Sequence, residues 1–285
     1  MNYRHAFHAG NHADVLKHVV LLALVDALKK KDAPFFALDT HAGRGRYLLG
    51  ATESRKTGES DSGILRLLGE ATMPEVVERY LRAVQANNPV GALIAYPGSP
   101  LLIAQAMREQ DRLAACELQA DEAAALKELF AGDARVAVHA RDGYGAMKAM
   151  LPPRIGETRF ARGLVLVDPP YEVQENEYPQ IIVHLRDSLQ RWPQATYVVW
   201  YPIKQRRSLQ PFLRKAAALP ASSALLAELQ VRPDDSPLRL NGSGLLVLNP
   251  PWQFDQALAP ALPLLKQALG ERGATTRLEW IKPPA

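Results

Sequence analysis

The chain has 285 residues, 47% hydrophobic and 22% charged, the make-up of a soluble globular protein with one large core. It has no run of 18 apolar residues and no apolar leader after Met1, so neither a membrane span nor an export signal is expected. The lone Cys116 excludes an internal disulfide and fits a reducing cytoplasm, and a net charge of +4 permits a nucleic-acid partner without showing one.

From Asn11 to Lys31 apolar residues recur at helical spacing, with Asn11 as the cap and Lys29, Lys30 and Lys31 suiting the carboxyl end. Pro34–Asp39 then reads as a buried strand that runs into a loop with two glycines, Gly43 and Gly45. Residues 50–95 break the rhythm. Ser60–Glu70 and Glu75–Ala86 look helical there, and the interval is expected to be a small helical insertion within a single domain spanning 1–285. Further strands are predicted over Arg112–Glu117, Arg135–Ala140, Gly163–Asp168, Thr196–Tyr201, Ala224–Val231, Gly244–Leu248 and Thr276–Ile281. Helices are predicted over Asp121–Phe130, Tyr144–Met150, Glu177–Arg191, Gln205–Leu219 and Phe254–Leu269. The alternation predicts an open, mostly parallel sheet with helices on both faces, ending in an antiparallel pair.

Ligands of such sheets bind beyond the carboxyl ends of the strands. The first strand ends in Asp39-Thr40-His41-Ala42-Gly43, the second in Glu117, and the third is followed by Arg141-Asp142-Gly143. A glycine loop admits close approach, an acid ending the second strand suits ribose hydroxyls, and Asp142 can reach an adenine amine. The set fits a nucleoside cofactor without phosphate. A dinucleotide fingerprint is incomplete, because Gly43-Arg44-Gly45 lacks its third glycine, and no phosphate loop with Gly-Lys-Ser/Thr occurs.

The fourth strand delivers Asp168-Pro169-Pro170-Tyr171 to one point. The acid accepts from an exocyclic amine, the Pro169 carbonyl is a second acceptor, and the Tyr171 ring can stack on a base. The string resembles the amine-methylating motif of S-adenosylmethionine-dependent enzymes acting on adenine N6. A second string, Asn249-Pro250-Pro251-Trp252, could carry the same chemistry, although its strand comes late in the order. His8 and His12 have a spacing compatible with a metal, but no cysteine cluster supports one. Two basic clusters read as solvated faces: Arg44, Arg46, Arg55 and Lys56, and Lys204, Arg206, Arg207, Arg214 and Lys215.

The segment from Tyr3 to His18 closely resembles the start of the RlmJ family of bacterial 23S ribosomal RNA adenine-N6 methyltransferases. The likeness continues through Leu38–Gly43, Tyr96–Pro100, Asp168–Tyr171, Trp200–Pro202 and Asn249–Trp252. It implies a Rossmann-like, seven-stranded-type methyltransferase fold with a small helical insertion, and S-adenosylmethionine as cofactor. It also implies that His18, His41, Ser99, Glu117, Asp142, Gly143 and Asp168 line the cofactor site and that Tyr3 lies at the RNA substrate; from the motif itself Asp168 is the expected catalytic residue, with Pro169 and Tyr171 as substrate contacts. The partner implied is one adenine of 23S ribosomal RNA; no metal and no membrane are expected, and a monomeric protein is compatible with the sequence. The linker Arg154–Arg162 is longer than the family pattern. A DNA adenine methyltransferase and a non-catalytic assembly factor remain as rivals at this point.

Overall fold

A computed structural model describes residues 8–49, 60–171, 174–236 and 240–284. The strands are β1 (Phe36–Asp39), β2 (Arg46–Leu48), β3 (Ala95–Pro97), β4 (Arg112–Glu117), β5 (Val136–Ala140), β6 (Arg154–Ile155), β7 (Thr158–Arg159), β8 (Gly163–Val167), β9 (Thr196–Ile203), β10 (Ala224–Gln230), β11 (Gly242–Leu248) and β12 (Thr275–Lys282). Eight of them form one sheet in the order β12-β10-β11-β9-β8-β1-β4-β5. The run from β5 to β9 is parallel, whereas β11 is antiparallel to both of its neighbours and β12 is antiparallel to β10. The chain leaves β1 toward β4 and later returns on its other side as β8. The topological switch point, where ligands bind in such sheets, therefore lies between the carboxyl ends of β1 and β8.

Alternation along β8 shows how the sequence builds the layers. Leu164 and Leu166 enter one core, and Val165 and Val167 enter the other, so the strand is apolar throughout. The first helix, His12–Lys29, lies in one of these cores through Val15, Leu16, Val19 and Val20. The helices Gly143–Met150, Gln174–Arg191 and Arg206–Ala217 contribute to the opposite core. Asn11 caps the first helix as expected, accepting from the Ala13 and Asp14 N–H groups at 2.9 and 3.0 Å.

Several elements differ from the sequence expectation. Between β1 and β4 lie the helices Ile64–Leu67 and Glu75–Gln85, together with the β2–β3 pair and the helix Ser99–Ala106. The last two escaped the pattern because the strands are three residues long and the helix carries proline in its first turn. The long linker holds the small, exposed β6–β7 hairpin. The helix expected over Phe254–Leu269 is divided at Ala259 and Pro260 into Phe254–Leu258 and Ala261–Leu269. No described helix is long and apolar enough to cross a membrane.

Candidate active site

A cleft of about 560 Å³ opens over the switch point. Its wall brings together His41, Gly43, Ser99, Glu117, Asp142, Gly143, Asp168, Pro169 and Tyr171, residues that are far apart in the chain. Strand ends explain the gathering. Asp39 ends β1, Glu117 ends β4, Asp142 and Gly143 follow β5, and Asp168 follows β8.

Each side chain is held by a specific partner. The Glu117 carboxylate accepts from the Gly43 N–H at 2.9 Å through Oε2 and from the Gln119 N–H at 2.7 Å through Oε1, which ties the glycine loop to β4. Gly43 has φ +60°, and an added Cβ would lie 2.2 Å from the Tyr47 hydroxyl, so the turn requires glycine. Asp142 caps the Gly143–Met150 helix, its Oδ2 accepting from the Gly145 N–H at 2.6 Å. At Gly143 an added Cβ would meet the Thr40 carbonyl at 2.1 Å, so only glycine lets β1 and this helix approach so closely. Leu118, 59% exposed, offers an apolar shelf beside Glu117.

Thr40 settles the tautomer of His41. The threonine hydroxyl has one proton and donates it to the Leu166 carbonyl at 2.9 Å. His41 Nδ1, 2.7 Å from that hydroxyl, must then carry a proton and donate it. Burial lowers the His41 pKa to about 4 despite the nearby Asp168 and Asp142. The ring is therefore neutral at pH 7, with Nε2 as an acceptor.

The catalytic candidate has a partner that the sequence reading did not assign. Lys17 Nζ lies 2.7 Å from Asp168 Oδ2 and 2.9 Å from Asp14 Oδ1, with the lysine side chain only 5% exposed. Burial opposes its charge, but Asp14 and Asp168 outweigh that and hold its pKa well above the ordinary value. Asp14 Oδ2 also accepts from the Gly10 N–H at 3.0 Å. A lysine inside an otherwise apolar helical pattern, three residues after an aspartate, was the available signal. Its second partner, Asp168, is 151 residues away and could not be seen. Asp39 was likewise unassigned. It is fully buried, accepts from the Ser99 hydroxyl at 2.6 Å, and has its pKa pushed up to about 7 chiefly by burial.

The side chain of His18 does not meet the expectation that it lines the cleft. One residue turns a helix by about 100°, so when Lys17 faces the cleft its neighbour faces the interior. The His18 ring is fully buried, stacks on Tyr96 and has Nδ1 2.8 Å from the Tyr96 hydroxyl. Tyr3 lies outside the described residues. Tyr171 directs its hydroxyl to the Trp200 carbonyl at 2.5 Å and packs against Tyr178 and Trp200. Tyr144 donates to Glu177 Oε1 at 2.6 Å, joining the helices that follow β5 and β8 across the cleft.

The rival string falls on the wrong side of the sheet. Because β11 runs against β9, its end at Leu248 pairs with Tyr197, near the start of β9. Asn249 therefore sits at the opposite edge from Asp168. Its side chain donates to the Pro193 and Ala195 carbonyls and accepts from the Ser222 N–H and hydroxyl, which is a structural role. Among the basic residues, Arg44 is taken up by a two-bond pair with Glu122 at the cleft, and Arg206 by Glu228 and Gln230. Arg55 and Lys56 lie outside the described residues. Among the described residues no group of His, Cys, Asp or Glu is arranged to hold a metal ion.

A sheet of this order, with acids at the carboxyl ends of β1, β4 and β8 and an Asp-Pro-Pro-Tyr turn at the switch point, is a Rossmann-like methyltransferase fold. The family model described as ribosomal RNA large subunit methyltransferase D, RlmJ, matches residues 32–282, and the chain belongs to this family. It is 39% identical to the ribosomal RNA large subunit methyltransferase J of Haemophilus influenzae over 285 residues, covering 99% of both chains. The protein of that name from Escherichia coli is 39% identical over 284 residues, again with 99% of both covered. Among solved structures, protein LPL1258 of Legionella pneumophila superposes with a TM-score of 0.85 at 33% identity, covering 95% of this chain and 98% of that one.

Proposed function

We propose that this protein is an S-adenosylmethionine-dependent enzyme that converts a single adenine of 23S ribosomal RNA to N6-methyladenine in the cytoplasm, acting as one domain with a small helical insertion expected over about 50–95, of which residues 50–59 lie outside the described residues. The observation that carries the reading is the position of the Asp168 carboxylate. It is anchored by Lys17 in the same cleft as Glu117 and Asp142, so an amine-gripping motif and a nucleoside-binding shelf share one cavity.

The donor set fits the cofactor. Glu117 is fixed at the end of β4 to accept from a ribose diol, Leu118 offers a shelf for a base, and Asp142 keeps Oδ1 for an exocyclic amine. The carboxylates around the cavity suit a cationic ligand. His41, Gly43, Ser99 and Gly143 complete that side, with Ser99 acting through Asp39, and His18 supporting the wall from behind through Tyr96. When bound, S-adenosylmethionine supplies an electrophilic methyl group on a sulfonium.

The protein's task is to present the adenine amine. Its nitrogen lone pair is delocalised into the ring, so it is a poor nucleophile until the amine is oriented. Lys17 occupies Asp168 Oδ2 and leaves Oδ1 to accept one N6–H, while the Pro169 carbonyl accepts the other. That grip favours a pyramidal amine with its lone pair aimed into the cofactor side, and the gain is one of orientation and preorganised charge. Asp168 then receives the proton that the methylated nitrogen sheds. Tyr171 is locked by Trp200 and Tyr178 as an aromatic surface for a base that has left its stack.

The test is methylation of a 23S RNA fragment and of its DNA copy, with products digested and read by mass spectrometry. N6-methyladenine in the RNA alone supports the reading. Methylation of the DNA copy with comparable efficiency, or binding of the cofactor without turnover, contradicts it.

A further inference from the structure

A second cavity, of about 840 Å³, adjoins the cleft. It runs between the helices Gln174–Arg191 and Arg206–Ala217, and Lys204 belongs to the walls of both cavities. One wall is the face made by Ser208, Pro211, Phe212 and Lys215, which recur at helical spacing. The other presents Gln174 and Tyr178. Tyr178 joins the two cavities physically. Its ring packs at 5.6 Å on Tyr171 of the Asp-Pro-Pro-Tyr turn and stacks on the buried Phe212 at 4.4 Å. An aromatic track thus leads from the proposed adenine slot into the groove.

The charge along this track is positive at both ends. Lys204 stands at the junction and Lys215 at the far end; both are exposed, and neither ammonium pairs with a carboxylate among the described residues. Among the described residues the lining holds one carboxylate, Asp234. It is tied to the groove's own base, with Oδ1 accepting from the Gln230 amide at 2.7 Å and Oδ2 from the Arg206 N–H at 3.3 Å. Ammonium groups with no carboxylate partner among the described residues, set on either side of the Tyr178 ring that the buried Phe212 backs, with the hydroxyl and amide of Ser208 and Gln205 between them, suit a single nucleic-acid strand: phosphates meet the lysines and a base lies on Tyr178.

We infer that this groove holds the single-stranded RNA flanking the target adenine. Resting on the function proposed above, it gives that site its substrate track. An adenine drawn out of its stack leaves neighbours whose backbone must go somewhere, and this is the charged exit continuous with Asp168 and Tyr171. The groove therefore contributes to RNA capture and not to cofactor binding or to the chemical step.

The experiment uses the full-length protein with Lys215→Glu, an exposed-charge reversal, and Ser208→Trp, which fills the groove, each checked for an unchanged melting temperature. Methylation kinetics on a 23S RNA fragment, RNA affinity against salt and S-adenosylmethionine affinity are measured together. The groove assignment predicts a rise in the RNA KM of roughly 5–10-fold in each variant, kcat within about twofold of wild type, and unchanged cofactor affinity. For Lys215→Glu the slope of log affinity against log salt becomes shallower by about 0.7, the value for one lost single-strand phosphate contact. If wild type methylates RNA and Lys215→Glu matches it in KM and salt slope, the groove assignment falls alone. A loss confined to kcat, or a parallel loss of cofactor affinity, also overturns it. If wild type does not methylate RNA, this inference and the proposed function fall together.

Discussion

Replacing Lys17 with methionine keeps the apolar stem and removes the ammonium that bridges Asp14 and Asp168. Removing one partner from a buried ion pair usually costs about 3–5 kcal/mol, because a charge is left uncompensated. Here Asp14 is 4% exposed and meets nearly the full penalty, relieved in part by the Gly10 N–H. Asp168 is 15% exposed and faces an open cleft, so water compensates it better. The expected destabilisation is therefore about 2–4 kcal/mol by urea unfolding at pH 7. Turnover should fall on the order of 10²-fold in single-turnover assays, because Asp168 loses the group that orients it. Adding Asp14→Asn to Lys17→Met should recover most of the stability but not the turnover. A single variant within about 0.5 kcal/mol of wild type, or one with normal turnover, would refute the claim that Lys17 anchors the catalytic carboxylate.

Three further outcomes follow from the site. Glu117→Gln should weaken binding of S-adenosylmethionine and S-adenosylhomocysteine alike by roughly tenfold in calorimetry, since an amide cannot accept from both the Gly43 and Gln119 N–H groups as the carboxylate does; unchanged affinity would remove Glu117 from the cofactor site. Asp39 has a folded pKa of about 7 against 3.8 when unfolded, so the stability it contributes is complete below the unfolded value and declines as the pH rises through the folded one. Asp39→Asn removes that decline, and its stability relative to wild type should climb between pH 5 and 7 by up to about 1.4 kcal/mol per pH unit; a flat difference would show that Asp39 does not titrate there. Tyr3→Ala should impair methylation at subsaturating RNA and leave S-adenosylmethionine affinity intact, as expected of a contact made only to substrate; identical RNA kinetics would leave the N-terminal segment without that role.

Much of this arrangement was legible in the sequence, and the reasons are local. Asn11 could be read as a cap from its place before an apolar-periodic run, and β8 as a buried strand from five consecutive apolar or small residues. The acids that line the cleft were visible because the fold places the ends of parallel strands on one side, so ending a strand is itself a spatial statement. What stayed hidden depends on pairings distant in the chain or on direction. Lys17 finds Asp168 only through the packing of the first helix over β8. His18, adjacent in sequence, is turned away by the helical step. The string at Asn249 reads like that at Asp168, yet β11 runs the other way and carries it to the far edge of the sheet. The groove beside the cleft was equally hidden, since Lys204 and Lys215 read as a solvated face until Tyr178 and Phe212 were placed between them.

Asp168 decides whether the cleft methylates an amine. The most direct measurement is transfer of labelled methyl from S-adenosylmethionine to a 23S RNA fragment, with the modified nucleoside identified by mass, for wild type and Asp168→Ala. The geometry predicts N6-methyladenine at one adenine with wild type. It predicts a loss of turnover on the order of 10²-fold or more in the variant, with cofactor affinity much less affected. Near-normal turnover by Asp168→Ala, or methyl found on a nucleoside other than adenine, would contradict it.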